Sequence, residues 1–325
     1  MDTKETPLVI FTILAQMSVG AFVVNGILHL FARRKNAKAG IDKLSDPALY
    51  AIGPVMVVAL LISLAHLGDP LHALNTMNNF GRSWLSREIV FGVAFAALAI
   101  AFSVVHKREW LTPLLHELLA GVTALFGLAF ILSQAMIYVI PTIPAWDSWA
   151  TPVSFFVTTF LLGSLAVGVD FVAVTTLPGM RSRHGGDTRP LLYQSLRWIS
   201  ASALILLGVQ FVIEPTYALE LSSKGGAAAQ SANLLLFGGG SAFVAEMILF
   251  FAGGALIALF LHLIRGGTPD AVVETTAGSG GAGAAGAGLS QRVMVYAVST
   301  AFVCVLASEV LGRMLFYTSN VRIGF

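Results

Sequence analysis

The chain has 325 residues, of which 56% are hydrophobic and only 11% are charged, and its formal net charge is +2. A typical soluble domain carries about 25% charged residues, and a soluble fold of this length could not hide so much apolar surface from water. The small net charge gives no indication of a nucleic-acid partner. The single cysteine, Cys304, excludes an internal disulfide and a cysteine-bound zinc or iron–sulfur site in the chain.

Eight apolar runs are long enough to cross a membrane, since a helix needs about 20 residues to span roughly 30 Å of hydrocarbon. The predicted spans are residues 8–31, 48–67, 89–105, 118–140, 153–176, 198–213, 234–264 and 293–317. Helices are the expected spanning element because a helix bonds its backbone groups internally. The sequence therefore predicts an all-α integral membrane protein with one membrane domain over residues 1–325. Eight helices allow a division into two four-helix bundles.

The distribution of basic residues predicts how the chain is oriented. About two thirds of the 19 Lys and Arg residues fall in the loops on the side away from the N-terminus. Cytoplasmic loops carry an excess of these residues, so both termini are expected on the outside. The Gly- and Ala-rich segment 277–288 then lies in the last cytoplasmic connection, where we expect a flexible linker.

Polar residues are most frequent in residues 63–88, which read SLAHLGDPLHALNTMNNFGRSWLSRE and connect the second and third spans on the outside. His66 lies where the second helix is expected to end, because Gly68 and Pro70 follow it and terminate helices. Glu88 opens the third helix, where its charge suits the positive end of the helix dipole. The two side chains are therefore expected at the outer interface, on neighbouring antiparallel helices.

This pair suits the oxidation of a quinol, which loses two protons together with two electrons. A histidine has an ordinary pKa of about 6.5 and can accept a proton, and a glutamate can pass the proton on. A structural role is the alternative for both residues. A histidine at a helix end often caps the helix, and a glutamate in a first turn often serves only as a partner of the helix dipole.

The segment SLAHLGDPLHALNTMNNFGRSWLSREIVFG resembles the signature of the membrane anchor subunit of bacterial dimethyl sulfoxide reductase, and the tail SEVLGRMLFYTSNVRIGF is similar to that family as well. The resemblance extends over the chain and implies a haem-free, menaquinol-oxidising anchor in the bacterial inner membrane, with periplasmic termini. It also implies two partner subunits, one with iron–sulfur clusters and one with a molybdenum cofactor. In this family the residues matching His66 and Glu88 are implicated in menaquinol binding and oxidation.

Five further residues are candidates for binding the quinol: Gly68, His72, Arg87, Gln134 and Tyr138. His72 is a departure, since the family pattern has an arginine after the Gly-x-Pro turn. Gln134 and Tyr138 are four residues apart and therefore share one face of the fourth span. We expect menaquinol to be the cofactor, with no metal or haem in this chain.

Other polar residues follow the same spacing or lie deeper in the membrane. Gln210 and Glu214 share a face of the sixth span, and Glu309 and Arg313 are predicted to form an ion pair on the eighth. Glu246 is expected near the middle of the seventh span. It could belong to a proton path or be a hydrogen-bonded core group.

Two other classes of function are alternatives. The first is a haem b anchor, in which two of His29, His116 and His262 near the inner face would bind the iron. The second is a proton-coupled transporter that uses Asp170 and Glu246. Transporters commonly place such residues at the membrane midplane between broken helices.

Overall fold

The computed structural model describes residues 5–34, 37–64, 79–176, 189–238, 241–266 and 283–323, and all regular secondary structure in these ranges is helical. The helices are α1 (Thr6–Arg34), α2 (Lys38–Leu64), α3 (Trp84–Arg108), α4 (Pro113–Met136), α5 (Ala150–Thr176), α6 (Arg189–Lys224), α7 (Gly226–Asn233), α8 (Ala242–Gly266) and α9 (Gly283–Thr318). Within the described ranges, every helix except the short α7 is long and apolar enough to cross a membrane. This confirms the predicted count of eight spans.

A tight connection joins α3 to α4, and local sequence explains it. Glu109 ends α3 in the left-handed conformation, with φ of 52°. Pro113 opens α4, where its missing N–H costs no hydrogen bond, and the Thr112 hydroxyl accepts a hydrogen bond from the Leu115 N–H at 3.5 Å. The two helices therefore run antiparallel and pack along their length.

The sixth span is longer than predicted. α6 runs from Arg189 to Lys224 and includes Pro215, whereas the apolar run suggested residues 198–213. Glu214 and Pro215 together suggest a helix end, but a proline is tolerated inside a membrane helix when neighbouring groups satisfy the freed carbonyl. The predicted connection 214–233 is therefore largely helical, made of the end of α6 and all of α7.

The seventh span is shorter than predicted. Residues Leu234–Gly238 form a π-helical turn, and α8 begins only at Ala242. The π-helical turn ends at Gly238, and glycine in a helix interior costs about 1 kcal/mol relative to alanine. Glu246 consequently lies in the second turn of α8, which corrects its predicted position near the middle of the span.

Helices α1 and α5 form the centre of the packing. α1 packs against α2, α4 and α5, and α5 also contacts α6 and α9. The two helices cross at Gly20 and Gly163, where a Cβ on Gly20 would overlap the Thr159 carbonyl and a Cβ on Gly163 would overlap the Gly20 backbone. Such backbone contact between small residues is a common way for membrane helices to associate, since lipid provides no hydrophobic drive.

The start of α1 and the end of α9 lie at one end of the bundle, which we call the termini end. Tyr317 near the end of α9 interacts with Thr12 in α1, and the Ile323 N–H donates to the Thr142 carbonyl at 2.9 Å. At the opposite end, Arg33 of α1 forms an ion pair with Glu117 of α4. The periplasmic location of the termini end stays a prediction.

The predicted linker, residues 277–288, is described only in part. Residues 277–282 lie outside the described ranges, and α9 begins at Gly283.

Candidate functional site

Glu88 is a buried carboxyl group in the second turn of α3, near the termini end. Ser83 caps this helix, since its hydroxyl accepts a hydrogen bond from the Ser86 N–H at 3.4 Å. Only 8% of Glu88 is exposed, and its carboxyl group lies next to the Gln134 side chain of α4. A carboxyl group inside a membrane helix is costly without a polar neighbour or a proton, so its surroundings decide its chemistry.

A series of polar side chains leads from Glu88 into the centre of the protein. Gln16 of α1 donates through Nε2 to Gln134 Oε1 at 3.1 Å, and Arg313 of α9 donates through Nη2 to Gln16 Oε1 at 3.2 Å. All three side chains are buried. The Arg313 guanidinium also lies over the Phe155 ring, 3.9 Å from its centroid. The polar link Glu88–Gln134–Gln16–Arg313 therefore connects α3, α4, α1 and α9.

Tyr138, which follows α4, lies on the same side as Gln134 and is buried at the termini end. Its hydroxyl is 3.1 Å from the Tyr317 hydroxyl of α9. Trp146 and Phe316 pack edge-on against its ring, with centroids 5.2 and 5.3 Å away. The candidate quinol-binding residues Gln134 and Tyr138 thus both face the interior, next to the end of α9.

Arg87, a further candidate, contacts the connection that precedes α3. Its Nε donates to the Phe80 carbonyl at 3.0 Å and its Nη2 donates to the Gly81 carbonyl at 2.9 Å. Its guanidinium lies over the Trp84 ring, 4.3 Å from the centroid. These contacts give Arg87 a role in fixing the start of α3 just before Glu88.

The remaining candidates, His66, Gly68 and His72, lie outside the described residues. Their role in the site stays a prediction. α2 ends at Leu64, two residues before His66, and α2 packs against α3, which carries Glu88.

The predicted ion pair between Glu309 and Arg313 is replaced by other contacts. Glu309 Oε2 accepts a hydrogen bond from the Thr158 hydroxyl of α5 at 2.8 Å, while Arg313 donates to Gln16. A spacing of four residues allows contact along one helix, but partners on α5 and α1 bind both side chains here. Gln16 was not predicted. The sequence feature that indicates a functional role for Gln16 is its large amide side chain within the apolar run of the first span.

The histidines considered for haem lie away from this site. Both ring nitrogens of His29 face side chains of α2, at 2.7 and 3.3 Å. His116 Nε2 is 3.1 Å from His106 Nδ1, and His262 is exposed. Because an axial ligand needs a free ring nitrogen that points to the iron, these contacts do not favour His29 as a haem ligand.

A family model and the similar proteins found by comparison indicate the same family. The family described as DMSO reductase anchor subunit (DmsC) matches residues 1–183. One relative, from the anaerobic dimethyl sulfoxide reductase of Escherichia coli (strain K12), is 32% identical over 184 residues, which are 54% of this chain and 63% of the relative. Its counterpart from the anaerobic dimethyl sulfoxide reductase of Haemophilus influenzae is 33% identical over 159 residues, which are 49% of this chain and 56% of the relative. A subunit of the sulfite dehydrogenase of Allochromatium vinosum is 32% identical over 161 residues, which are 45% of this chain and 46% of the relative.

The matched residues contain α1 to α5, and with them Gln16, Glu88 and Gln134. Helices α6 to α9, including Arg313, lie beyond the family match. The matches span between 46% and 63% of the length of these relatives. Because the family match spans more than half of the chain and the described residues form eight apolar spans, this multi-pass membrane protein belongs to the family of DMSO reductase anchor subunits.

Proposed function

We propose that this chain anchors an oxidoreductase in the bacterial inner membrane and oxidises menaquinol for it. The observation that carries the proposal is Glu88, a buried carboxyl group near one membrane interface that begins a polar link into the protein. It lies in the part that matches the family. Because the relatives belong to dimethyl sulfoxide reductase and sulfite dehydrogenase, we propose an iron–sulfur subunit and a molybdenum-cofactor subunit as partners.

The proposed reaction removes two electrons and two protons from menaquinol. In the proposal, His66 accepts a proton from a quinol hydroxyl, and Glu88 passes it to water at the termini end. The Gln134 amide can hydrogen-bond to Glu88 in either protonation state, so it orients the carboxyl group throughout the cycle. The electrons leave for the iron–sulfur subunit, because a protein with one cysteine has no cysteine ligands for a cluster of its own.

The reverse direction is a second candidate, favoured by the match to the sulfite dehydrogenase of Allochromatium vinosum. A dehydrogenase partner would deliver two electrons, and the same site would then supply two protons to menaquinone. Identifying the catalytic subunit that co-purifies with this protein separates the two candidates. A reductase partner supports quinol oxidation, and a dehydrogenase partner supports quinone reduction.

The positions of the two deeper carboxyl groups do not favour a transporter. Glu246 lies in the second turn of α8, near the termini end, whereas Asp170 lies in the last third of α5, towards the opposite end. A shared site at the membrane midplane would need both groups at one depth. The two residues therefore belong to different parts of the bundle.

Connections at the termini end are expected to bind the iron–sulfur subunit. A photoreactive side chain at the exposed Gly81 or Arg82 should cross-link to that subunit in intact membranes. The same group at the exposed Glu109 or Trp110, in the α3–α4 connection at the opposite end, serves as the control. Cross-links from the control positions alone would reverse the proposed orientation.

Turnover is expected to create no membrane potential. If quinol oxidation and the catalytic subunit share one side, protons are released where electrons are consumed, and no charge crosses the membrane. Proteoliposomes that contain only the complex and menaquinol, and that receive the oxidised substrate of the catalytic subunit from outside, should show this with a voltage-sensitive dye. A potential that depends on turnover, and that a protonophore abolishes, would require a proton route through the bundle.

A further inference from the structure

A small cavity lies in the second half of the chain, beyond the residues that match the family. Its volume is about 40 Å³. That is room for two or three water molecules, since each needs roughly 10–15 Å³ of such space. Its polar lining comes mainly from α6, α8 and α9, with Gln210, Glu214, Tyr217, Glu246, Glu309 and Arg313, and α5 adds Thr151 and Ser154. We call Glu214, Glu246 and Glu309 the carboxyl cluster.

The cluster carries more acidic groups than its surroundings can neutralise. Glu246 is 2% exposed, Glu309 and Arg313 are 4% exposed, and Glu214 is half-buried. Arg313 is the one basic residue among the described residues that line the cavity, and the Tyr217 hydroxyl is engaged as a donor to the Ala145 carbonyl. With every carboxyl group ionised, the cavity would hold two more negative than positive charges. A low-dielectric membrane interior does not tolerate such an excess, so protons must be bound there.

Three buried polar atoms around the cavity lack a hydrogen-bond partner among the described residues. They are Glu309 Oε1, Gln210 Oε1 and Arg313 Nε. The other polar atoms of the same residues are held in place, since Glu309 Oε2 accepts from Thr158 at 2.8 Å and Gln210 Nε2 donates to Glu214 at 2.8 Å. Buried polar atoms are normally paired, and ordered water is the usual partner when protein atoms are not.

The backbone of α9 is shaped to admit one member of the cluster. A Cβ on Gly312 would overlap an oxygen of the Glu246 carboxyl group. The Ser308 hydroxyl, one turn earlier, donates to the Glu246 carbonyl at 2.7 Å. The carboxyl group of Glu246 therefore lies against Gly312 of α9, and a side chain at that position would displace it.

We infer that this cavity is a hydrated proton-storage site, in which the three glutamates share at least two protons and water joins them to Arg313 and Gln210. A second part of the inference rests on the proposed function: the protons stored in the cavity respond to oxidation of the quinol. Arg313 ends the polar link to Glu88 through Gln16 and Gln134. The amide side chains neither accept nor release a proton, so this link acts through charge and not by proton transfer. When an ionised Glu88 accepts a proton, the negative charge at the other end of the link disappears, Arg313 acts on the cluster alone, and the cluster releases a proton to water.

Infrared spectroscopy of the assembled complex in lipid tests the storage site without quinol. Protonated carboxyl groups give a C=O stretching band that shifts in D₂O. Glu246→Gln and Glu309→Gln are each expected to remove part of this band at pH 7, whereas Glu220→Gln, which alters a carboxylate paired with Lys224, should leave it unchanged. Gly312→Ala, which keeps every charge, should shift the band by displacing Glu246. If all three cluster variants, Glu214→Gln included, leave the band intact, the cluster is ionised and the inference is wrong.

The link to the quinol site has its own measurement. Glu88→Gln mimics the protonated form, so the cluster should hold fewer protons than in the unmodified complex at the same pH, and the band should weaken further than the loss of Glu88 explains. Glu220→Gln is again the control. An unchanged cluster band in Glu88→Gln overturns the coupling. Failure of the proposed function would instead appear as normal menaquinol turnover in His66→Ala, whatever the infrared band does.

Discussion

Replacing His66 by alanine is expected to lower menaquinol-dependent turnover by about 10²–10⁴-fold, the usual contribution of a general base. The expectation follows from the sequence position of His66, two residues beyond the last described residue of α2, and from the resemblance of its segment to the family signature. Reduction of the substrate by an artificial soluble donor should persist, because those electrons enter through the partner and bypass the quinol. The ratio of the two rates in the same membranes measures the effect.

Glu88→Gln should reduce the same ratio by a smaller factor. Glutamine fits the same space and can still bond to Gln134, but it cannot carry a proton. Glu220→Gln is the matched control, since Glu220 binds Lys224 at 2.7 Å near the end of α6 and should be neutral to replacement. Normal turnover in both site variants would place the quinol elsewhere. Loss of the bound subunits in His66→Ala would make His66 a docking residue.

Hydropathy predicted the eight spans because the length of an apolar run follows directly from the thickness of the bilayer. It was less successful at the helix ends. The apolar run of the sixth span ends at residue 213, yet α6 continues to Lys224. The break before Ala242 shortened the seventh span and moved Glu246 towards one end. These features depend on how neighbouring helices satisfy the backbone, which a window over one segment of the sequence does not describe.

The polar residues of the interior were largely visible in the sequence, because each is unusual in a membrane span. Their partners were not. Spacing along a helix predicted contact between Glu309 and Arg313, but Thr158 and Gln16 bind them instead. The link from Glu88 to Arg313 crosses four helices whose order around the bundle has no signature in local sequence. Gln16 was not among the predicted site residues, although a large amide within an apolar run is a signal of the same kind.

The contact between α1 and α5 gives the largest expected effect on stability. Gly20→Val would place side-chain atoms where the Thr159 carbonyl lies. Overpacking costs about 1–3 kcal/mol even where side chains can yield, and backbone yields less. We therefore expect the equilibrium constant for folding to fall by about tenfold or more, since roughly 1.4 kcal/mol corresponds to a factor of ten. The amount of protein in the membrane should fall by a few-fold as a result.

Gly26→Val is the matched control for this prediction. It adds the same side chain to the same helix, but a Cβ at Gly26 meets no atom within 4 Å. Thermal unfolding in detergent and quantification of the protein in membranes should separate the two variants. Equal behaviour would show that α1 and α5 do not cross at Gly20.

Since Gly20 is one turn from Gln16, a milder Gly20→Ala should also move Gln16 away from Gln134 and Arg313. Menaquinol-dependent turnover should then fall more than the amount of assembled complex does, because the crossing of these two helices sets the geometry of the polar link.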